Sequence, residues 1–349
     1  MKALRLYGPD DLRLEEVEKP VAPRGGMVLK VDACAICGSD LRNIKAGGSA
    51  HKMKMPAILG HEFAGTIVEL GEGVTGYEIG EKVVSSAIIP CGKCRYCLRG
   101  LQNQCVDKNA ISYITPGAFA EYVMLPALHV ANGGVHRVPE GFSTQDVCIT
   151  EPCSCALNGQ EISKVGLGDV VCVIGAGPLG IIHCLIAKAL GASKVISVDI
   201  MQNRVDQAKT FPEIDVAVNS ATEDLKAIVD RETEGYGCDV VIVASPSGKA
   251  QEQAIEIAGR RARVNFFGGL PKGSPPISVD SNVVHYKEIF IQGTSDSSNY
   301  HMEMVLNMFK SGQLDPRRFI THRYPLSQYK EAFDMARSGN ALKVIIYPD

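Results

Sequence analysis

The sequence predicts an α/β protein in two parts: a β-rich first half, then a doubly wound parallel sheet. Three observations predict it. Residues 1 to about 150 hold short apolar runs between Gly and Pro, with no alternation of strand and helix patterns. From about 153 strand-length and helix-length patterns alternate, as in a parallel sheet covered on both faces. The first strand of that region runs straight into Gly175-Ala-Gly177-Pro178-Leu179-Gly180, a G-x-G-x-x-G turn.

In chain order, residues 4–7, 28–33, 63–70 and 82–87 read as strands between turn signals. Gly71, Gly73, Gly76 and Gly80 punctuate the middle. Five apolar residues, 170–174, make a short buried strand, and 181–190 is an apolar run of helical length that Gly191 is placed to end. A second strand, 194–198, finishes at Asp199. Alternation continues through 204–209, 225–231, 239–244, 250–258, 263–267 and 289–293. Residues 300–310 read as a helix, and the tail returns to short β-like pieces such as 343–347.

Strand, tight turn, helix, strand and acid together suit a dinucleotide. Gly175 permits the turn, Gly177 lets a pyrophosphate approach the backbone, and Gly180 allows close packing of helix on strand. The helix N-terminus, at Pro178 and Leu179, offers free N–H groups to phosphate. Asp199 can accept hydrogen bonds from the adenosine ribose and would repel a 2′-phosphate, which favours NAD over NADP. Arg204 is expected to stack near the adenine. The bland alternative is a tight turn with no ligand.

Bulk properties narrow the class. Hydrophobic residues make up 45% of 349, and the net charge is −3. That suits a globular protein and argues against nucleic acid as a partner. The first twenty residues alternate apolar and charged types, unlike a signal peptide, and no stretch has the length and apolarity of a membrane span. A cytoplasmic location is expected. There the 12 cysteines would be reduced, so clusters of them read as metal ligands rather than disulfides.

Cys91, Cys94, Cys97 and Cys105 form C-x2-C-x2-C-x7-C, shaped by Pro90, Gly92 and Gly100. Four thiolates this close can wrap one tetrahedral zinc and leave no open position, so the site reads as structural. An iron–sulfur cluster uses similar ligands, and four surface thiols are the bland alternative. A scattered set comprises Cys37-Gly-Ser39-Asp40, Gly60-His61-Glu62 and Glu151-Pro152. Singly each is weak. Together they offer the S, N and O donors of an open catalytic zinc site, with Asp40 and Glu62 suited to support the ligands.

In order and spacing these motifs resemble the medium-chain, zinc-dependent alcohol dehydrogenases over essentially the whole chain. Glu151-Pro152 is similar to the polyol (sorbitol-like) and threonine dehydrogenase branch. The resemblance implies a GroES-like catalytic domain, 1–152 and 296–349, and a Rossmann NAD-binding domain, 153–295. It implies two zinc ions per subunit. One would be bound by Cys37 and His61, with Glu62 and Glu151 as alternating or water-bridged oxygen ligands. Ser39 matches the hydroxyl that hands the substrate proton on.

One departure stands out. Many relatives carry a His shortly after that Asp, continuing the proton relay, whereas here Asp40 is followed by Leu41-Arg42-Asn43. Water, the ribose hydroxyls or His51 would have to serve. The loop around His51 also holds Arg42, Lys45, Lys52 and Lys54, either a solvated basic loop or a clamp for a phosphorylated substrate. The expected activity is oxidation of a secondary alcohol, a polyol or its phosphate, to a ketone with NAD, in a cleft that closes to exclude water. A threonine-type 3-hydroxy amino acid dehydrogenase and a non-catalytic zinc and nucleotide-binding protein are the alternatives. Segments 39–55, 110–120 and 270–300 would build the substrate pocket. Sheet continuation through 263–267 and 289–293 would give a homodimer or homotetramer.

Overall fold

A computed structural model describes residues 1–51 and 53–349. Lys52 of the basic loop lies outside the described residues. The chain divides into two compact units, Met1–Ser154 with Asp296–Asp349, and Cys155–Ser295. No described helix is long and apolar enough to cross a membrane.

The first unit is built on a sheet in the order Val135–Arg137, Lys82–Ser85, Glu62–Leu70, Met27–Ala35, Lys343–Tyr347, Ile320–Pro325. Tyr122–Leu125 also pairs with Met27–Ala35. The central strand therefore meets segments from three distant parts of the chain. Its pairing with the C-terminal strand is antiparallel, Cys34 opposite Ile346 and Ala35 opposite Ile345. The Ile36 amide then donates to the Val344 carbonyl at 2.9 Å, which brings Lys343 level with Cys37. Phe63, Phe119, Leu29, Ile67 and Leu125 are fully buried in the core beneath, each contributing about 1.5–3 kcal/mol. Phe119 meets Phe333 edge to face at 5.5 Å, pinning the helix Tyr329–Arg337.

This unit is less purely β than the sequence suggests. A helix Gly38–Ala46 follows the central strand, and Thr150–Ile162 is helical through Glu151. Tyr329–Arg337 is helical where short β pieces were expected.

The second unit is a six-stranded, all-parallel sheet. Its order is Val216–Asn219, Lys194–Asp199, Val170–Ile174, Cys238–Val243, Ala258–Phe266, Phe290–Gly293. That is the Rossmann order, with the first strand central and the crevice at its carboxyl end. Val171, Cys172 and Val173 are all fully buried, as a strand covered on both faces must be. Ala258–Phe266 begins inside the run that reads as helix in sequence, since the helix before it stops at Glu256. Of the two segments expected at the sheet edge, only Phe290–Gly293 is there; Ala258–Phe266 is paired on both sides.

Candidate metal centres and cofactor site

The four sulfurs of Cys91, Cys94, Cys97 and Cys105 lie within 4.8 Å of one another. The loop earns this by its backbone. Gly92 and Gly100 take φ of 72° and 78°, a left-handed region that suits glycine. A Cβ at Gly92 would sit 2.3 Å from the Asn132 amide oxygen. Asn132 in turn donates to the Pro90 carbonyl at 2.8 Å and holds the lobe's entrance. The N–H groups of Cys97 and Val106 point at Cys94 and bring its thiol down to about 6. Burial, then the neighbouring thiols, push Cys97 up to about 12. Sulfurs so crowded cannot all ionise alone, and a soft-tolerant dication is what lets them do so.

The second group brings together Cys37, His61 and Glu62, with ligand atoms again within 4.8 Å. Cys37 is the N-cap of the helix Gly38–Ala46, and its amide donates to the Asp40 carboxylate at 2.9 Å. Gly60 has φ 97°, and a Cβ there would lie 2.7 Å from Cys34 Sγ and 2.8 Å from the Phe119 nitrogen. His61 can take its place only because its predecessor is glycine. Its Nδ1 faces Asp40 Oδ1 at 3.5 Å, and its Nε2 lies 3.5 Å from Ser39 Oγ. Burial opposes the imidazolium, but Asp40 and Cys37 outweigh it and raise His61 well above its usual range. A metal entering this site would displace that proton.

Glu62 is fully buried, and neither carboxylate oxygen has an aligned hydrogen bond. What it has is an ion pair with Lys343, itself 4% exposed. The Lys343 ammonium also donates to the Ile36 carbonyl at 2.9 Å. Burial works against its charge, but Glu62, then Cys37 and Glu151, hold its pKa above the usual value. A buried carboxylate beside a thiol and an imidazole fits a divalent metal. Glu151 opens the helix Thr150–Ile162 and is half-buried. It is not among the three clustered donors, though its charge acts on Lys343 and Cys153. Lys343 is missing from the sequence reading; its only signal is a lone cation in the apolar run Leu342 to Tyr347.

Tyr113 is a second residue that the sequence reading does not single out. Its ring stacks on His51 at 4.1 Å and meets His61 at 5.9 Å. Burial raises the pKa of its phenol. Arg42, Lys45 and Lys54 are exposed, as in a solvated loop.

In the second unit, Gly175 turns with φ 113°, and Gly177 caps the helix Pro178–Ala189. A Cβ at Gly180 would fall 1.6 Å from the Gly175 carbonyl oxygen. Asp199 Oδ2 accepts from the Ala176 amide at 2.8 Å, tying the second strand to the glycine turn. Its Oδ1 accepts from the amides of Ile200 and Met201. Arg204 lies 3.6 Å from Asp199, and its guanidinium is 3.8 Å from where a Gly177 Cβ would be. The acid and the cation thus flank an open glycine backbone at the end of the strands.

Two family models match: the alcohol dehydrogenase GroES-like domain over residues 23–139 and the zinc-binding dehydrogenase over 178–311. The chain is 31% identical to a sorbitol dehydrogenase of Halalkalibacterium halodurans, covering 100% of this chain and 99% of that one. It is 34% identical to an L-threonine 3-dehydrogenase of Cutibacterium acnes, covering 99% and 98%. Among solved structures it superposes on the alcohol dehydrogenase TADH from Thermus sp. ATN1 with a TM-score of 0.89, at 28% identity and full coverage of both chains. With a GroES-like unit, a Rossmann unit and both donor sets in place, the chain belongs to the zinc-dependent medium-chain alcohol dehydrogenases, in their polyol and threonine dehydrogenase branch.

Proposed function

We propose that this chain oxidises a secondary alcohol, a polyol or polyol phosphate, to the ketone with NAD. The observation that carries the reading is the clustered trio Cys37, His61 and Glu62, the last two buried, with the Ser39 hydroxyl at its edge. Cys37 and His61 would hold a zinc ion, with Glu62 and Glu151 exchanging as oxygen ligands. Cys91, Cys94, Cys97 and Cys105 would hold a second, structural zinc, making two per chain. Bound at the first site, zinc supplies a Lewis acid that lowers the pKa of the substrate hydroxyl. Asp40 fixes the His61 ring, and Ser39 takes up the hydroxyl proton as a hydride leaves the carbon for NAD. Gly175, Gly177, Pro178, Leu179 and Gly180 would cradle the pyrophosphate. Asp199 would bind the adenosine ribose, and it supports NAD over NADP; Arg204 beside it would stack near the adenine. Free thiols throughout suit a reducing compartment, so a cytoplasmic location is part of the proposal.

The test is a panel of polyols, free and phosphorylated, with L-threonine included, given to zinc-loaded protein and NAD and followed by NADH absorbance. A polyol should give the highest kcat/KM. Asp199→Gly should relax the cofactor preference toward NADP. Cys37→Ser should remove one zinc of two together with the activity. Protein holding two zinc ions that forms no NADH with any alcohol would instead be a non-catalytic nucleotide-binding protein. Highest kcat/KM for L-threonine would move it to the 3-hydroxy amino acid enzymes.

A further inference from the structure

Four thiols wrapped on one ion need no partners outside their own loop, yet this lobe is bonded to a distant segment, residues 296–299. Gln102 lies between the third and fourth cysteines, and the Cys105 amide donates to its carbonyl at 3.1 Å. Its side-chain Oε1 accepts from the Asn299 amide at 3.0 Å. Asn299 is the first residue of the helix Asn299–Lys310, so this amide is one of the N–H groups that a helix leaves without an internal partner. A lobe side chain satisfies it. Asn299 Nδ2 and Gln102 Nε2 both donate to the Asn132 carbonyl, at 2.7 and 3.3 Å. Asn132 also holds Pro90 at the lobe's entrance. At the start of the segment, Lys108 pairs with Asp296 while donating to the Asn103 carbonyl at 2.9 Å. Asp296 keeps φ at 53°, a left-handed backbone that persists where its surroundings dictate it.

From the same segment a second set of bonds runs to Glu151. Ser154 is fully buried, Ser297 is 6% exposed, and their hydroxyl oxygens are 2.6 Å apart. Ser154 Oγ also lies 2.6 Å from the Glu151 carbonyl oxygen, which can only accept. Ser154 has a single proton to give, so it goes to Glu151, and Ser297 is the donor to Ser154. The helical turn that carries Glu151 is therefore braced from Ser297. Lobe, segment and Glu151 all belong to the first compact unit.

We propose that the four-cysteine lobe positions Glu151: Gln102, Asn132 and Lys108 fix the segment 296–299, and Ser297, through Ser154, fixes the turn that carries Glu151. The proposal rests on the dehydrogenase reading, in which Glu151 is an exchanging oxygen ligand. Such a carboxylate needs a fixed backbone, because a shift of about 1 Å at a reacting group can cost about a hundredfold in rate. A metal held by the cysteines would bring Cys97 and Cys105 to one point and so hold Gln102 between them. Ser297 and Asn299 are positioning residues, and neither needs to touch the substrate.

The experiment compares wild type with Gln102→Ala, Asn299→Ala and Ser297→Ala, all zinc-loaded, with metal content measured for each. The first readout needs no turnover: hydrogen exchange at the amides of Glu151, Cys153 and Ser154. Each variant should speed it by roughly fivefold, the net effect of one hydrogen bond, with two zinc ions retained. Exchange in the helix Gly38–Ala46, which these bonds do not reach, should stay at the wild-type rate. Cys94→Ser, measured in the cold, should speed exchange at 151–154 as well, since the emptied lobe no longer holds Gln102. The second readout is kcat for NADH formation from an oxidisable secondary alcohol, run as a double-mutant cycle with Glu151→Gln. Ser297→Ala should lower kcat by roughly fivefold or more while Glu151 is present, and hardly at all once it is Gln. General loosening would instead add to the Glu151→Gln loss. Wild-type exchange at 151–154 in both Gln102→Ala and Asn299→Ala overturns the proposal, and so does an additive cycle. Should Asn299→Ala fail to fold, Gln102→Ala, which alters neither helix, makes the same measurement. A wild type that forms no NADH from any alcohol refutes the dehydrogenase reading, whereas the exchange rates still report on the bonds, so the two failures are told apart.

Discussion

Charge balance at the catalytic donors turns on Lys343. The fully buried Glu62 carboxylate needs a cation, and Lys343 supplies it. Removing one partner of a buried ion pair costs about 3–5 kcal/mol, because the other charge is left bare. Lys343→Met should therefore destabilise the metal-free protein by about 3 kcal/mol. It should destabilise the zinc-loaded protein less, since the metal can take over Glu62. Denaturation midpoints of both proteins, each with and without zinc, measure this difference of differences. An equal penalty in the two states would mean that Glu62 does not reach the metal. His183 in the second unit gives a pH prediction. Burial brings it from 6.5 down to about 3. The folded pKa is depressed, so the unfolded chain binds the extra proton below about 6.5. Stability is intact above that pH and falls by about 1.4 kcal/mol per pH unit from there toward 3. His183→Gln should flatten this slope by one proton, read from denaturation midpoints at pH 6.5 and about 5. Cys37, His61 and Glu62 are legible in sequence because they sit in short motifs with Ser39, Asp40 and Gly60. Lys343 and Tyr113 are not, because each reaches the site through a pairing or turn far along the chain.

Among elements, those that backbone constraints dictate are the ones the sequence exposes. The glycine turn is legible because Gly175 and Gly180 answer a positive φ and a steric limit that no other residue meets. Gly180→Ala places a methyl against the Gly175 carbonyl, and backbone rather than a side-chain tip must move. NADH affinity, read by fluorescence titration, should drop by about tenfold or more, as the cost of a shifted phosphate cradle exceeds about 1.4 kcal/mol. The cysteine lobe is legible from spacing alone. Cys94→Ser should lose one zinc of two by metal analysis and aggregate on mild warming. Helices with weak local signals are the ones missed. Gly38–Ala46 starts from a Cys cap and a Gly, neither a strong helix former. Thr150–Ile162 is buried nearly all round, with Ser154, Asn158 and Gln160 inside, so no apolar stripe marks it. Tyr329–Arg337 does carry Tyr329, Ala332, Phe333 and Ala336 at helical spacing, a signal that the surrounding short β pieces mask.

For the whole molecule, the sequence shows which stretches form a parallel sheet but not where that sheet stops. Strand order is a matter of pairing, and pairing leaves no local mark; both 263–267 and 289–293 read as edge candidates. The structure makes Phe290–Gly293 the outer strand, with a single partner, Ala258–Phe266, among the described residues. Phe290 and Ile291 are 53% and 41% exposed on it, and the helix before it, Ser281–Lys287, has no buried residue. Tyr286 at that helix end is 71% exposed. A bare edge offers a row of unpaired N–H and C=O groups, which proteins normally cover or charge. Here it is apolar instead. A second copy of the same chain, related by a two-fold axis, would pair edge to edge and bury Phe290 and Ile291 against their own symmetry mates. We predict a dimer, or a tetramer built from such dimers, at micromolar concentration. Light scattering coupled to size exclusion should give at least twice the 37.5 kDa of one chain. Ile291→Lys places a charge in the seam and should shift the mass toward one chain while circular dichroism stays unchanged. A wild type of single-chain mass, or an Ile291→Lys variant that stays oligomeric, would place any contact elsewhere than on this strand.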